Sequence, residues 1–212
     1  MALPATHIRF ALDLKKHLGV IDHKTYIAGT LYPDSRYITK VDRSVSHDEG
    51  LLDVLRDKTS NDFEKGWAVH LVCDILQEEE RVKHFFSFLP LAESTDWWTS
   101  ITAMKIMADM DDVQYINAAG ELGYLSIQTP NGELKELVEQ YHQLNRLTYH
   151  KNGVPEREDY RAFWESLAST HYDKSVFDEI FTKLDDYLKN EEIVSTINTF
   201  YDSMLKNAAR YL

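Results

Sequence analysis

His70 and Asp74 are the two residues whose types and spacing most clearly predict chemistry. They stand four positions apart in a segment with apolar residues at helical spacing, so both side chains share one helix face, roughly 6 Å apart at Cβ. Zinc accepts an imidazole nitrogen and a carboxylate oxygen at about 2.0–2.2 Å. Such pairs also occur on solvated helices. Here Trp67, Val69 and Val72 make the surroundings apolar, where a histidine and an aspartate need a partner such as a cation.

Further ligands must be histidines and carboxylates, because Cys73 is the only cysteine. A single cysteine excludes an intramolecular disulfide and a thiolate zinc cluster, and it suits a reducing compartment. His7 stands at the start of the first predicted helix. Asp34 follows Pro33, which breaks a helix, so we expect Asp34 on a loop. His47 lies in a polar segment and, taken alone, is typical of a solvated loop.

The remaining histidines show no spacing suited to a shared ion. His84 is fourteen residues after His70 and lies on the same helix face, but an unbroken helix would place it roughly 21 Å away along the axis. We interpret His84 as a surface or helix-end residue. The others are predicted to be surface residues: His17, His23, His142, His150 and His171.

The order of these candidates resembles the bacterial zinc-dependent phospholipase C family and its relatives among zinc-dependent single-strand nucleases. The resemblance rests on His7, Pro33-Asp34, His47 and the His70-x-x-x-Asp74 pair, and it covers roughly residues 3–75. It implies an all-α fold and a zinc site formed by Asp34, His47, His70 and Asp74. It also implies a second, poorer site shared by His7 and Asp74.

The chain departs from that family in several respects, of which the ligands after the first pair matter most. Family members carry a His-x-x-x-Glu pair after the first pair, and no such pair occurs in this sequence. We therefore expect the third zinc site to be missing, as in a divergent relative.

The function implied by the resemblance is that of a metal-dependent hydrolase of phosphoester bonds, acting on a small phosphoester or phospholipid-like substrate. Asp34 would orient or deprotonate the attacking water, and Arg36 or Lys105 would neutralise the phosphate. Each of these two cations alone is also typical of a plain surface charge. Trp97 and Trp98 could line a pocket, although adjacent aromatic residues are more often divided between core and surface.

Two alternatives remain open. The adjacent His47-Asp48 pair and a later Asp109 resemble the residues of HD-type metal-dependent phosphohydrolases, although that pair should lie on a helix. Alternatively, the protein is a non-catalytic helical protein with a structural or vestigial metal site, whose C-terminal part is an interaction surface. The apolar residues of that part are more simply interpreted as core: Phe163, Trp164, Leu167, Phe177, Ile180, Phe181 and Leu184.

Helical periodicity dominates the chain and predicts an all-α fold in one domain, 1–212. Residues 1–150 would form the metal-binding part and 151–212 a helical C-terminal part, with the Asn152-Gly-Val-Pro155 segment between them. A long central helix over 61–88 would carry the metal ligands. The other predicted helices are 8–18, 22–28, 94–110, 113–125, 133–147, 155–169, 175–190 and 191–212.

The charge of the chain limits its partners. The net charge is −12, with 35 acidic and 23 basic residues, which disfavours binding to a nucleic-acid duplex. A small phosphate compound drawn in by a bound cation is still compatible with that charge. No apolar run approaches about 18 residues, and no signal peptide is recognisable, so we expect a cytoplasmic protein without an integral membrane segment. The oligomeric state is left open.

Overall fold

Helices form all the regular structure in the residues that this computed structural model describes, which are 3–57, 59–85, 95–123, 125–150, 154–168 and 172–212. The prediction of an all-α fold is therefore confirmed. The α-helices are α1 (Pro4–Leu14), α2 (His23–Leu31), α3 (Arg36–Thr39), α4 (Arg43–Ser46), α5 (Asp62–Phe85), α6 (Thr95–Asp112), α7 (Ala118–Leu122), α8 (Lys135–Thr148), α9 (Arg157–Ala168), α10 (Lys174–Tyr187) and α11 (Glu191–Ala208). Three 3₁₀ helices accompany them: η1 (Tyr32–Ser35), η2 (Glu49–Arg56) and η3 (Val113–Tyr115).

The central helix is α5, which packs against α1, α2 and α11. It begins where the sequence predicts, because the Asn61 side chain accepts a hydrogen bond from the Glu64 backbone N–H at 2.9 Å. Asp62 and Glu64 in its first turn also favour the positive end of the helix dipole. The predicted end near residue 88 lies outside the described residues.

Two glycines allow α2 and α5 to cross at very short range. A Cβ atom added to Gly29 would lie 2.0 Å from the Phe63 carbonyl oxygen, and one added to Gly66 would lie 2.0 Å from the Tyr26 carbonyl oxygen. The prediction that a helix ends at Gly29 is wrong, because α2 continues to Leu31. Gly29 is needed there for the close approach of two backbones rather than as a helix stop.

The chain stays helical after α2, which corrects the expectation that Asp34 lies on a loop. Pro33 takes one of the first two positions of η1, where its missing N–H costs no hydrogen bond, and Asp34 follows inside the same turn. The predicted helix over 113–125 is also wrong as a single element. It divides into η3 and α7, because Asn117 accepts a hydrogen bond from the Gly120 N–H at 3.1 Å and starts a new helix.

One hydrophobic core extends from Leu3 to Ala208 and includes residues on both sides of the 152–155 segment. The seven C-terminal apolar residues predicted to be core are all buried, which confirms that interpretation. No described helix combines the length and the apolar character that crossing a membrane requires.

Candidate metal centre

Five predicted ligands from four segments meet beside α5. His7 lies in α1, Asp34 in η1, and His47 directly after α4, while His70 and Asp74 lie on α5. All five side chains are less than one-tenth exposed. The interpretation of His47 as a solvated loop residue is therefore wrong, since the turn of α4 directs its ring inward.

The distances between ligand atoms are those expected for groups around one or two ions. From Asp74 Oδ2, His47 Nε2 lies at 3.5 Å and His70 Nε2 at 3.7 Å. His7 Nε2 is 3.6 Å from Asp74 Oδ1 and 3.9 Å from Asp34 Oδ2, and His70 Nε2 is 4.0 Å from Asp34 Oδ1. Two ligands on a tetrahedral zinc with bonds of 2.0–2.2 Å stand about 3.3–3.6 Å apart. Most of these pairs are too far apart for hydrogen bonds and only slightly wider than that spacing.

Two groups of three residues have ligand atoms that all lie within 4.8 Å of one another. One contains His7, His70 and Asp74, and the other contains Asp34, His47 and His70. The two carboxylates connect the groups, because each turns one oxygen towards His7 and the other towards His70. This arrangement could hold one ion among Asp34, His47, His70 and Asp74, and a second beside His7.

His70 is oriented by the close crossing of α2 and α5. Its Nδ1–H donates a hydrogen bond to the Thr30 carbonyl oxygen at 2.8 Å, so the lone pair of Nε2 points into the centre. His7 stacks on His70 with ring centroids 3.8 Å apart. The buried Nε2 atoms of His7 and His70, and Asp34 Oδ1, have no hydrogen-bond partner in the part of the chain that is described. Buried polar atoms left this way are destabilising unless an ion or water completes them.

The electrostatics of the cluster suit a cation. Burial lowers the pKa of His7 to about 3, and it also lowers the pKa values of His70 and His47, so the three imidazoles are neutral donors. Burial and the charge of Asp74 together raise the pKa of Asp34 to about 7. Burial alone would raise the pKa of Asp74 too, but the positive charge of the terminal amino group, followed by the neighbouring histidines, holds it well below its usual value. The two carboxylates therefore share one proton, which a divalent ion would displace.

That shared proton predicts how metal binding depends on pH. The pKa of Asp34 in the folded chain, about 7, lies above the ordinary aspartate value of 3.8. The metal-free form therefore gains stability from the proton at low pH and loses it as pH rises from about 4 to 7. Metal binding must release this proton below pH 7. We expect the apparent affinity for zinc to fall about tenfold per pH unit below 7, with about one proton released per ion in calorimetry.

The matched variant for this prediction is Asp34→Asn, which has no proton to release. It should bind zinc more weakly, but with less pH dependence than the native protein just below pH 7, because the pKa values of the neighbouring imidazoles are lowered by burial. An equal loss of affinity near pH 6.5 in both proteins would instead indicate histidine titration and contradict the prediction.

A buried aspartate outside the ligand set positions His7. Asp109 on α6 accepts a hydrogen bond from the Thr6 backbone N–H at 3.1 Å, and hydroxyl donors approach it from Tyr149 at 2.7 Å and Tyr160 at 2.8 Å. Leu3 at the N-cap of α1 supplies no side-chain cap. The cap of the helix that carries His7 therefore comes from a residue 103 positions away, a relationship for which the sequence gives no signal.

The two residues of the HD-type pair, His47 and Asp48, point into different surroundings in the structure. His47 enters the cluster, whereas Asp48 is exposed and caps η2 by accepting a hydrogen bond from the Gly50 N–H at 2.9 Å. The carboxylate of Asp109, the candidate late aspartate of that arrangement, accepts hydrogen bonds from Thr6, Tyr149 and Tyr160, as described above.

The other histidines mostly behave as predicted. His84 is partly exposed near the end of α5 and bonds to Glu80, while His17 and His150 are exposed. His23 is partly buried against Glu121. The prediction for His142 is wrong: it is 1% exposed, because it lies on the inner face of α8. His171 lies outside the described residues.

Arg36 lies two residues beyond Asp34 and borders a cavity of about 550 Å³. The adjacent tryptophans, Trp97 and Trp98, have different surroundings. Trp98 lines that cavity, whereas the Arg81 guanidinium lies over the Trp97 ring.

A scan against models of known protein families found no match. Searches of curated proteins and of solved structures found none either. Conclusions about function therefore rest on the site itself.

Proposed function

We propose that this protein is a metal-dependent hydrolase of phosphoester bonds, with zinc as the ion. The observation that carries the proposal is the convergence of three neutral imidazoles and two carboxylates at distances close to those between ligands on one zinc. Nitrogen and oxygen donors without a thiolate, on a scaffold of helices, are compatible with a catalytic zinc site.

We assign the proposed ligand atoms to two sets, one for each ion. One set has four ligands: Asp34 Oδ1, His47, His70 and Asp74 Oδ2. The other set has three ligands: His7, Asp34 Oδ2 and Asp74 Oδ1. A site with three protein ligands keeps a position open for water or substrate, so the His7 side is the reactive one. An ion held there supplies Lewis-acid polarisation of a phosphoryl oxygen and lowers the pKa of a water towards ~7.

Asp34 and Arg36 complete the proposed chemistry. Asp34 Oδ2 faces His7, where, as a ligand next to the open position, it can orient the attacking water. Arg36 begins α3 directly after η1, and its guanidinium at the cavity can neutralise a phosphate of the substrate. A small phosphoester or the headgroup of a phospholipid-like molecule fits these roles.

The second candidate is a structural metal site. The observation in its favour is burial: all five ligand side chains are nearly inaccessible, and a complete four-ligand shell leaves no open position. An HD-type phosphohydrolase is a weaker alternative, because Asp48 caps η2 and Asp109 caps α1.

Metal analysis combined with a phosphodiesterase assay tests the proposal. Protein purified without chelators should contain one to two zinc ions per chain and hydrolyse bis-p-nitrophenyl phosphate. Chelation should remove both properties, and added zinc should restore them. Protein without bound metal would overturn the proposal. Full metal content without any phosphodiesterase or phosphomonoesterase turnover would overturn the hydrolase and favour the structural site.

A further inference from the structure

A cavity of about 550 Å³ is lined by residues that are close in sequence to two of the candidate metal ligands, Asp34 and His47. Arg36 follows Asp34 by two residues, at most about 7 Å along the chain. Arg43 precedes His47 by one helical turn, and the His47 N–H donates to the Arg43 carbonyl oxygen at 2.8 Å. The cavity is thus coupled to the centre through η1 and α4. Its volume is within the range of small-molecule sites.

Positive charge converges on this cavity in a strongly acidic chain. Arg36, Lys40 and Arg43 line it, while the net charge of the chain is −12. Among the described residues, no carboxylate lies within 4.0 Å of the charged nitrogens of these three side chains. Asp42, the one acidic wall residue in the part of the chain that the structure describes, turns its carboxylate to the N–H and hydroxyl of Ser44 at 2.7 and 2.6 Å. Lys40 Nζ donates to the Tyr37 carbonyl oxygen at 2.7 Å, and the Arg36 guanidinium lies over the Tyr37 ring, but neither contact neutralises the positive charge that the cavity presents to an anion.

Two wall residues also carry buried donors without an acceptor. Arg36 Nε and Trp164 Nε1 are buried and have no hydrogen-bond partner in the described structure. Trp164 is only 4% exposed, so solvent does not replace the missing acceptor. Because these two nitrogens have almost no solvent-accessible surface, they do not reach the open volume, and the case for an anion rests on the three cations.

The aromatic wall fixes the opposite side of the cavity. Trp98 stacks on Tyr172 with ring centroids 4.2 Å apart and meets Trp164 edge-on at 6.1 Å. Rings that pack on one another in this way form a rigid wall for the carbon skeleton of a ligand.

We propose that this cavity binds a second phosphate of the substrate, so that the preferred substrates are small bisphosphorylated compounds rather than lipids with a zwitterionic headgroup. The inference rests on the proposed function, because the first phosphate must lie at the metal centre. The short chain connections, two residues from Asp34 to Arg36 and four from Arg43 to His47, suit two phosphates of one small molecule. A quaternary ammonium group would meet three cations there and be repelled.

Calorimetric titration of the zinc-loaded protein with three matched compounds tests the inference. Hexane-1,6-diyl bisphosphate should bind at least about tenfold more tightly than hexyl phosphate, since a second charge-assisted contact adds an effect of this size. Hexylphosphocholine should bind more weakly than either. Equal affinities for the bisphosphate and hexyl phosphate, or tight binding of hexylphosphocholine, would overturn the proposal.

The double variant Lys40→Gln/Arg43→Gln should lose the preference for the bisphosphate and keep its zinc content. A single Lys40→Gln variant, changed at an exposed residue, gives a smaller loss if the double variant does not fold. Lys189→Gln is the matched control, because Lys189 is 75% exposed and lies away from the cavity. A preference retained in the double variant would contradict the assignment of the cavity.

Metal-free protein separates this inference from the proposed function. Hexyl phosphate should still bind the cavity without zinc, with millimolar affinity that weakens with added salt and in the double variant. A protein that never binds zinc but shows this behaviour would overturn the proposed function alone. A zinc-loaded, active enzyme that shows no difference between native and double-variant protein would overturn the cavity assignment alone.

Discussion

Replacement of His70 by alanine should remove the bound metal and abolish phosphodiester hydrolysis. His70 belongs to both groups of potential ligands, and its Nε2 lone pair is directed by the hydrogen bond to Thr30. A four-ligand zinc site is worth about 10–16 kcal/mol, or roughly 3 kcal/mol per ligand, so one lost ligand corresponds to about a hundredfold weaker affinity. Zinc content after dialysis and bis-p-nitrophenyl phosphate turnover measure the two effects.

His142→Ala is the matched control for this variant. His142 is also a fully buried histidine on a helix, so its replacement leaves a similar cavity, but it lies on α8 and belongs to neither group. We expect a lower melting temperature with unchanged zinc content. If His70→Ala retains full zinc content, the metal centre has been assigned wrongly. If both variants lose zinc alike, the effect is general destabilisation.

Replacement of Gly66 by alanine should be strongly destabilising. The new Cβ would lie 2.0 Å from the Tyr26 carbonyl oxygen and 2.8 Å from the Thr30 backbone nitrogen. These are backbone atoms that no rotamer change can move, so α2 and α5 must separate. We expect a loss of about 3 kcal/mol in the free energy of unfolding, at the upper end of over-packing effects.

The same change should weaken metal binding, although Gly66 is not a ligand. Separation of the helices would lengthen the hydrogen bond from His70 to Thr30 and shift Asp34, which follows α2. Chemical denaturation and zinc titration give the two quantities. Gly123→Ala is the control: its Cβ would be 3.4 Å from the nearest atom, and its φ of −61° suits alanine. A Gly66→Ala protein as stable as this control would refute the tight crossing.

The part of the centre predictable from the sequence is the part fixed by local geometry. His70 and Asp74 share a face because four residues make about one helical turn, and the apolar flanks predict burial. The start of α5 was predictable for the same reason, since Asn61 caps within three residues. Asp34 and His47 were predicted as ligands only from their order along the chain. No local sequence feature distinguishes them from solvated residues.

Local sequence patterns did not predict the roles of residues that depend on tertiary contacts. Gly29 follows a short helical run and has the sequence context of a helix end, but another helix backbone crosses at that point. His142 is polar and has no ligand spacing, yet the face of α8 that carries it is turned inward. Asp109 is recognisable only once Tyr149 and Tyr160 are seen to surround it. In each case, the role of the residue depends on a neighbour in space that is distant in sequence.

The cap that Asp109 provides for α1 has a consequence for the order of assembly. All five ligands have been synthesised once the chain reaches Asp74, but the helix that carries His7 receives its cap only after Asp109, Tyr149 and Tyr160 have emerged. A nascent chain therefore has every ligand long before it has the geometry to select an ion. For the proposed metal centre, loading would therefore come at the end of biosynthesis, when the second half of the chain has closed over the first.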